Sequence, residues 1–284
     1  MGGCPAPPIR SATAWHCWYS GVASPKPAVA LIGTGGTIAS RGDGPLELLN
    51  YAMDGTRLSA RDLMDYFPEM KLVADIVPLE CRPVASTEIG FPEWQDISRL
   101  CCDAVAAHPG LAGIVIAHGT ATIEETAYHL DLTLALPVAV VLVGAQRPAS
   151  ALSSDAGLNL VNAIRTAACP AAAGMGVLVV MNDEIHASRE VTKTSTLRLQ
   201  AMRSPDFGAL GHVDGDRVVF YRSLLRRTVT DTVFAVASLT ALPRVDIVYS
   251  HAGADDVAIR AFVDAGAAGL VSAGFAPGTA TSAQ

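Results

Sequence analysis

The feature that most constrains the fold of this chain is a repeated junction, in which a short apolar run breaks off into glycine and threonine. Residues 28–32 are apolar and end in Gly33-Thr34-Gly35-Gly36-Thr37-Ile38-Ala39-Ser40. Residues 113–117 form a second run, ending in His118-Gly119-Thr120-Ala121-Thr122. Short apolar runs bounded by glycine read as buried strands of a parallel sheet. Glycine at their ends lets the backbone turn sharply and approach a ligand closely. Open α/β sheets bind ligands outside the carboxyl ends of their strands. Thr34, Thr37 and Thr120 therefore stand where chemistry is expected, and a hydroxyl there is a candidate nucleophile.

Two glycine-loop chemistries do not fit. A dinucleotide fingerprint needs a third glycine beyond Gly33 and Gly35, and Ile38 stands in its place; a phosphate-cradling loop needs Gly-Lys-Ser/Thr, and no lysine follows. Taken alone, the first loop would serve equally well as a tight strand-to-loop turn.

Strand and helix patterns alternate along most of the chain. Strands are expected at 28–33, 72–79, 112–117, 138–143 and 176–181, and helices at 59–66, 92–107, 123–134 and 155–168. This is the pattern of an α/β fold: a parallel sheet with helices on both faces. Residues 211–221 read as a hairpin turning at Asp214-Gly215. A strand at 245–249 and a helix at 254–265 open a second, smaller and incomplete α/β domain. The expected organisation is a disordered leader at 1–27, a catalytic domain at 28–221, a linker at 222–243 and a partial C-terminal domain at 244–284.

Half of the 284 residues are apolar and 17% are charged, enough for a sizeable core. A net charge of −7 argues against nucleic acid or an anionic membrane as partner. His16 and the prolines interrupt the N-terminal apolar residues, so neither a signal peptide nor a membrane span is expected. The six cysteines show neither metal-ligand spacing nor a disulfide framework. Cys101-Cys102 read as helix packing, and the expected compartment is the reducing cytoplasm.

A third strand run, 177–181, precedes Glu190-Val191-Thr192-Lys193-Thr194-Ser195-Thr196. A lysine among hydroxyls and beside an apolar strand can be desolvated into a base; a snorkelling surface lysine is the alternative. His118 is expected to make structural hydrogen bonds. Glu184 and His186 lack a third ligand at suitable spacing, so no metal is expected. Asp155 reads as a helix N-cap, and His129 and Asp131 as packing or surface residues.

Taken together, Thr34-Gly35-Gly36-Thr37-Ile38-Ala39, His118-Gly119-Thr120, Glu124-Glu125-Thr126-Ala127, Val143-Gly144-Ala145-Gln146-Arg147-Pro148 and the 183–194 stretch resemble the bacterial-type L-asparaginase family, which includes asparaginase-glutaminases. The resemblance covers roughly 28–278. It implies that Thr37 is the nucleophile that forms an acyl-enzyme and that Tyr51 helps to activate it. It also implies that Thr120 and Lys193 relay protons and position water. Ser86 matches a serine that holds the substrate α-carboxylate, and Thr87, Glu88, Gly119 and Ala121 complete the expected substrate site. No cofactor is implied. The implied partner is a small asparagine-like amide, and the implied assembly is a homo-oligomer where the C-terminal domain is complete.

Three departures from the family pattern matter. Ala121 stands where the family has an aspartate that completes the Thr–Lys pair and meets the substrate ammonium. Removing one partner of a buried charge pair costs about 3–5 kcal/mol, roughly a hundred- to several-thousand-fold in rate. Glu88 is one carboxylate that could compensate. Thr87 replaces a glutamine, and Thr279 stands where an asparagine is usual, five residues before the chain stops. Three readings follow: an asparagine amidohydrolase, an ω-amidase on an amide without the α-amino group, or a catalytically impaired relative that binds or scaffolds.

Overall fold

The computed structural model describes residues 16–18, 25–51, 57–224, 234 and 239–284. The chain divides into two compact units, Met1–Val236 and Ala237–Gln284.

In the first unit the elements run β1 (His16–Trp18), β2 (Ala28–Gly33), α1 (Ala60–Tyr66), α2 (Met70–Val73), β3 (Asp75–Leu79), α3 (Phe91–Ala107), β4 (Leu111–Ala117), α4 (Ile123–Thr133), β5 (Ala139–Val143), α5 (Ala156–Ala168), β6 (Val177–Met181), β7 (Glu184–Ala187), β8 (Thr192–Lys193), β9 (Met202–Arg203), β10 (Gly211–Asp214) and β11 (Arg217–Phe220). Nine of the strands form one sheet in the order β1-β11-β10-β7-β6-β5-β4-β2-β3. The β3-β2-β4-β5-β6 half is parallel. The rest, from β6 through β7, β10 and β11 to β1, is antiparallel. The expected α/β sheet with helices on both faces is present, joined here to an antiparallel extension.

The sequence dictates both faces of this sheet. Successive strand side chains point to opposite sides, so Val29 and Leu31 of β2 and Val115 of β4 enter one core with α1, α2 and α5. Ala30, Ile32, Ile114 and Ile116 enter the other, with α3 and α4. These strand residues are fully buried. Apolar side chains buried on both faces explain why the runs are continuous rather than alternating.

Several local expectations are corrected. Residues 72–73 belong to α2 rather than to a strand. Pro68 opens a turn there, and Met70 and Val73, three apart, bury together on one helical face. Pro78 lies in β3, at the edge of the sheet, where a missing backbone donor is tolerated. The 211–220 hairpin turns at Gly215-Asp216, because Asp214 pairs with Arg217. The β6–β7 reversal is a two-residue turn in which Asn182 and Asp183 both have positive φ, 50° and 65°. Asparagine and aspartate are the non-glycine residues that accept this conformation most readily. The expected disordered leader does not hold for His16–Trp18, which pairs with β11. Residues 1–15, 19–24 and most of the expected 222–243 linker lie outside the described residues. The cysteine spacing shows no disulfide framework, yet Cys169 is disulfide-bonded, while Cys81, Cys101 and Cys102 are free.

The second unit is a βαβ element. β12 (Val245–Tyr249) and β13 (Gly269–Ala273) pair in parallel, and α6 (Val257–Asp264) connects them. Among the described residues, no helix is long and apolar enough to cross a membrane.

Candidate active site

The strand order sets the place of the site. The chain leaves β2 for β3 on one side, then crosses back to β4 on the other side of β2. Carboxyl ends at such a reversal open a crevice, the usual ligand site of open α/β sheets. The two glycine-threonine junctions flank it, since Thr37 follows β2 and Thr120 follows β4.

The junctions meet backbone to backbone. A Cβ at Gly36, whose φ is +80°, would lie 2.1 Å from the Gly119 Cα. A Cβ at Gly119 would lie 2.6 Å from the Ser86 Oγ. No side chain fits at either position, so glycine there lets the 33–37, 84–86 and 118–120 segments converge.

The structure separates the two hydroxyls of the first junction. Thr34 is buried, and both its N–H and its Oγ1 donate to the Ala117 carbonyl, at 2.9 and 3.1 Å. It ties β2 to β4 and is not displayed. Thr37 opens a short 3-10 turn and is part-exposed. Its hydroxyl lies 2.7 Å from the Tyr51 phenol oxygen.

Thr120 is the hub of the second junction. The Lys193 Nζ donates to its Oγ1 at 2.7 Å, and that hydroxyl donates onward to the Gln146 Oε1 at 2.9 Å. Lys193 is half-buried in β8, which excludes a freely solvated lysine. Burial pushes its ammonium below the usual lysine range, while the Glu124 carboxylate works in the other direction. Glu124, in the first turn of α4, also accepts the Lys193 backbone N–H at 2.5 Å.

Gln146, which the sequence marks only as part of the 143–148 motif, belongs to this network. Its Nε2 donates to the carbonyls of Thr196 and Arg198. Asp155 accepts from the backbone N–H groups of Gln146 and Arg147, at 2.9 Å each. Asp155 stands at the N-cap position of α5, but its carboxylate makes no capping bond and holds the Gln146 loop instead. Asn159 adds a bond from its Nδ2 to the Gly144 carbonyl. Nothing in the local sequence distinguishes these residues from ordinary cap and loop polar groups.

His118 is wholly structural. Its Nδ1 donates to the Gly119 carbonyl at 2.8 Å. With the ring proton on Nδ1, Nε2 accepts from the Thr126 hydroxyl at 3.0 Å, and Thr126 in turn accepts the Trp94 indole N–H at 2.9 Å. Complete burial pushes the imidazole down to about 4, so it stays neutral. His186, once a metal-ligand alternative, lies 3.4 Å from Glu184 and contacts Ser204, and burial lowers its pKa as well.

The remaining expected residues divide. Ser86 is buried against Gly119, and its carbonyl accepts from Thr122. Thr87, Glu88 and Ala121 are exposed. The carboxylate that accepts the Lys193 backbone N–H is that of Glu124. His129 stacks on Trp94, with ring centroids 4.5 Å apart, and Asp131 is buried, binding the Val177 N–H and Arg189.

Comparison with known proteins gives a consistent set of likenesses. The family model described as "Asparaginase, N-terminal" matches residues 28–226. L-asparaginase 2 of Escherichia coli (strain K12) is 38% identical over 263 residues, covering 92% of this chain and 73% of that protein. A probable periplasmic L-asparaginase of Haemophilus influenzae is 39% identical over the same length, with the same coverage of each chain. The crystal structure of a probable cytoplasmic L-asparaginase from Campylobacter jejuni superposes with a TM-score of 0.82 at 36% identity, covering 90% of this chain and 77% of that one.

Proposed function

This chain belongs to the asparaginase family, and from that premise we propose that it hydrolyses the side-chain amide of L-asparagine to L-aspartate and ammonia through Thr37. The activity is that of an asparaginase-like amidohydrolase, cleaving a linear amide C–N bond. The observation that carries the reading is the pairing of each strand-end hydroxyl with a group able to move its proton. Thr37 has Tyr51 at 2.7 Å and Thr120 has Lys193 at 2.7 Å, on loops that touch.

A hydroxyl is a weak nucleophile until its proton has somewhere to go. In this reading the Thr37 oxygen attacks the amide carbon as its proton passes to the Tyr51 oxygen and the phenol's own proton is handed to the amide nitrogen, which can then leave as ammonia. The tetrahedral oxyanion needs fixed donors, and the peptide N–H groups of the two junctions are the candidates. Collapse expels ammonia and leaves an ester on Thr37. Water positioned by Thr120 and Lys193 then adds to that ester, releasing the acid and restoring the hydroxyl. Ser86 receives the substrate α-carboxylate. No metal or cofactor takes part in this scheme.

The exposed methyl of Ala121 favours one second reading, hydrolysis of an ω-amide without an α-ammonium. Ammonia release from asparagine, glutamine and succinamate separates the two, with Thr37→Ala as control. The expected result is release that is fastest from asparagine and lost in the control. Faster turnover of succinamate moves the substrate class, and undiminished release by Thr37→Ala removes the nucleophile.

Two further proposals concern setting. The catalytic domain expected at 28–221 works in a homo-oligomer where the C-terminal domain is complete. Cys81, Cys101 and Cys102 are free thiols, in keeping with the cytoplasm. The disulfide at Cys169 favours an oxidising compartment instead. Thiol alkylation after acid quench and denaturation decides, because Cys169 is buried and Cys102 exposed in the fold: Cys169 labelled without reductant supports the cytoplasm, and Cys169 labelled only after reduction opposes it.

A further inference from the structure

We propose that Asn159, on α5, is a positioning residue whose buried amide holds the two loops that place Thr120 and Lys193 for the water step. The inference rests on the amide-hydrolysis reading above and extends it to the helix behind those loops.

Asn159 is buried, and its amide is fully engaged. Its Nδ2 donates to the Gly144 carbonyl at 3.0 Å and to the Asp155 carboxylate at 3.2 Å. Its Oδ1 accepts the Asn182 N–H at 3.0 Å. A carbonyl can only accept and a backbone N–H can only donate, so the amide has one orientation. Gly144 follows β5 and Asn182 follows β6. One side chain therefore ties the carboxyl ends of two neighbouring strands.

Both ties lead to the Thr120–Lys193 pair. The Gly144 backbone lies against Thr120, where a Cβ would stand 2.7 Å from the Thr120 Cγ2. Two residues on, Gln146 accepts the Thr120 proton at 2.9 Å. On the other side, the Asn182 Nδ2 donates to the Leu199 carbonyl, as the Gln146 Nε2 does to those of Thr196 and Arg198. All three carbonyls lie on the loop that leads from Lys193 in β8 to β9. None of these bonds reaches Thr37 or Tyr51. The Asn159 amide therefore bears on one half of the chemistry. In that half the water oxygen joins the acyl carbon, the Thr37 ester bond breaks, and a water proton passes by way of Thr120 and Lys193 to the Thr37 oxygen. Lost positioning here has a kinetic signature that lost stability does not share. Slower ester hydrolysis lowers kcat and KM together, while kcat/KM, which reports the steps through ammonia release, changes little. The acyl-enzyme accumulates, and ammonia appears in a burst.

The test uses the full chain with Asn159→Asp, Asn159→Ser, Thr166→Ala and Thr37→Ala. Asn159→Asp keeps the shape and the acceptor for Asn182 but turns an oxygen toward the Gly144 carbonyl and Asp155. Asn159→Ser removes the amide without adding a charge, and it gives the reading if a carboxylate there prevents folding. Thr166 is also buried on α5, and its hydroxyl bonds the Asn162 carbonyl of the same helix, so Thr166→Ala controls for lost stability. For the Asn159 variants, kcat on asparagine is expected to fall about 10- to 100-fold, the scale of a misplaced reacting group. KM falls with it, and ammonia is released in a burst. Hydroxylamine, a nucleophile that attacks esters without a proton relay, restores turnover and yields the hydroxamate. Thr166→Ala lowers the urea midpoint and keeps the parent kinetics. The second readout needs no turnover: hydrogen exchange read by mass spectrometry. Peptides covering 144–147 and 194–200 exchange faster in the Asn159 variants than in the parent, and those covering 33–40 do not. Equal falls in kcat and kcat/KM without a burst overturn the proposal. Parent kinetics in the Asn159 variants, or unchanged exchange at 144–147 and 194–200, also overturn it. A parent inactive on every amide refutes the amide-hydrolysis reading instead, and the exchange still decides whether Asn159 holds the two loops.

Discussion

At the scale of single residues, the candidate site is organised by hydrogen bonds among side chains packed behind its loops. Trp94, Thr126 and His118 form one directed chain of hydrogen bonds ending on the Gly119 carbonyl. Such a chain fixes the imidazole as the neutral Nδ1–H tautomer, because a carbonyl can only accept. The consequence for stability has a definite sign. The folded value near 4 lies below the unfolded value of about 6.5, so between those pH values the unfolded chain binds the extra proton. Stability from this group is present above about pH 6.5 and is lost as pH falls toward 4. Its full size is about 3 kcal/mol. Urea unfolding of the parent and of His118→Gln at pH 7, 5.5 and 4.5 measures it. The parent is expected to lose more stability than the variant on acidification, and parallel losses would show that His118 is not held neutral. What the sequence disclosed at this scale was the candidate hydroxyls of Thr37 and Thr120, because their strand-end setting is itself a sequence pattern; Thr34, in the same setting, is instead buried against the Ala117 carbonyl. The sequence did not disclose Gln146, Asp155 or Glu124 as partners. Their roles depend on where β5, α5 and β8 lie in space, and a single amide or carboxylate in a loop carries no periodic signal.

At the scale of elements, the catalytic geometry depends on how closely two loops approach. Gly36 and Gly119 face each other with no room for a methyl group, and Ser86 closes the third side. Gly119→Ala would force the 118–120 loop away from both neighbours. Overpacking of this kind costs about 1–3 kcal/mol, and a displacement near 1 Å at a reacting group can cost about 100-fold in rate. The variant should fold with a lowered urea midpoint and lose most of its ammonia release; parent-like values for both would mean that the junctions do not meet. The main strands and helices were legible because each buries a face whose period the chain displays. Two elements were misread for physical reasons. α2 is one turn long, and its apolar residues run into β3, so periodicity could not separate helix from strand. The antiparallel half of the sheet depends on the Asn182-Asp183 reversal, a turn without glycine.

For the whole molecule, the groups of the candidate site come from separate stretches of sequence. Thr37, Tyr51, Ser86, Thr120, Gln146 and Lys193 all lie within the 28–226 region matched by the family model, and the reversal between β2 and β4 explains why they meet. The family is the shared scaffold, and Ala121 is where this chain departs from the charge pattern that the resemblance implies. The central claim is that Thr37 carries the acyl group. Its most direct test is acid-quenched turnover of isotopically labelled asparagine, followed by peptide mapping, with Thr37→Ala run beside the parent. The account predicts label esterified to the peptide that contains Thr37, and no turnover by the variant. Label on the peptide containing Thr120, or full turnover by Thr37→Ala, would contradict it.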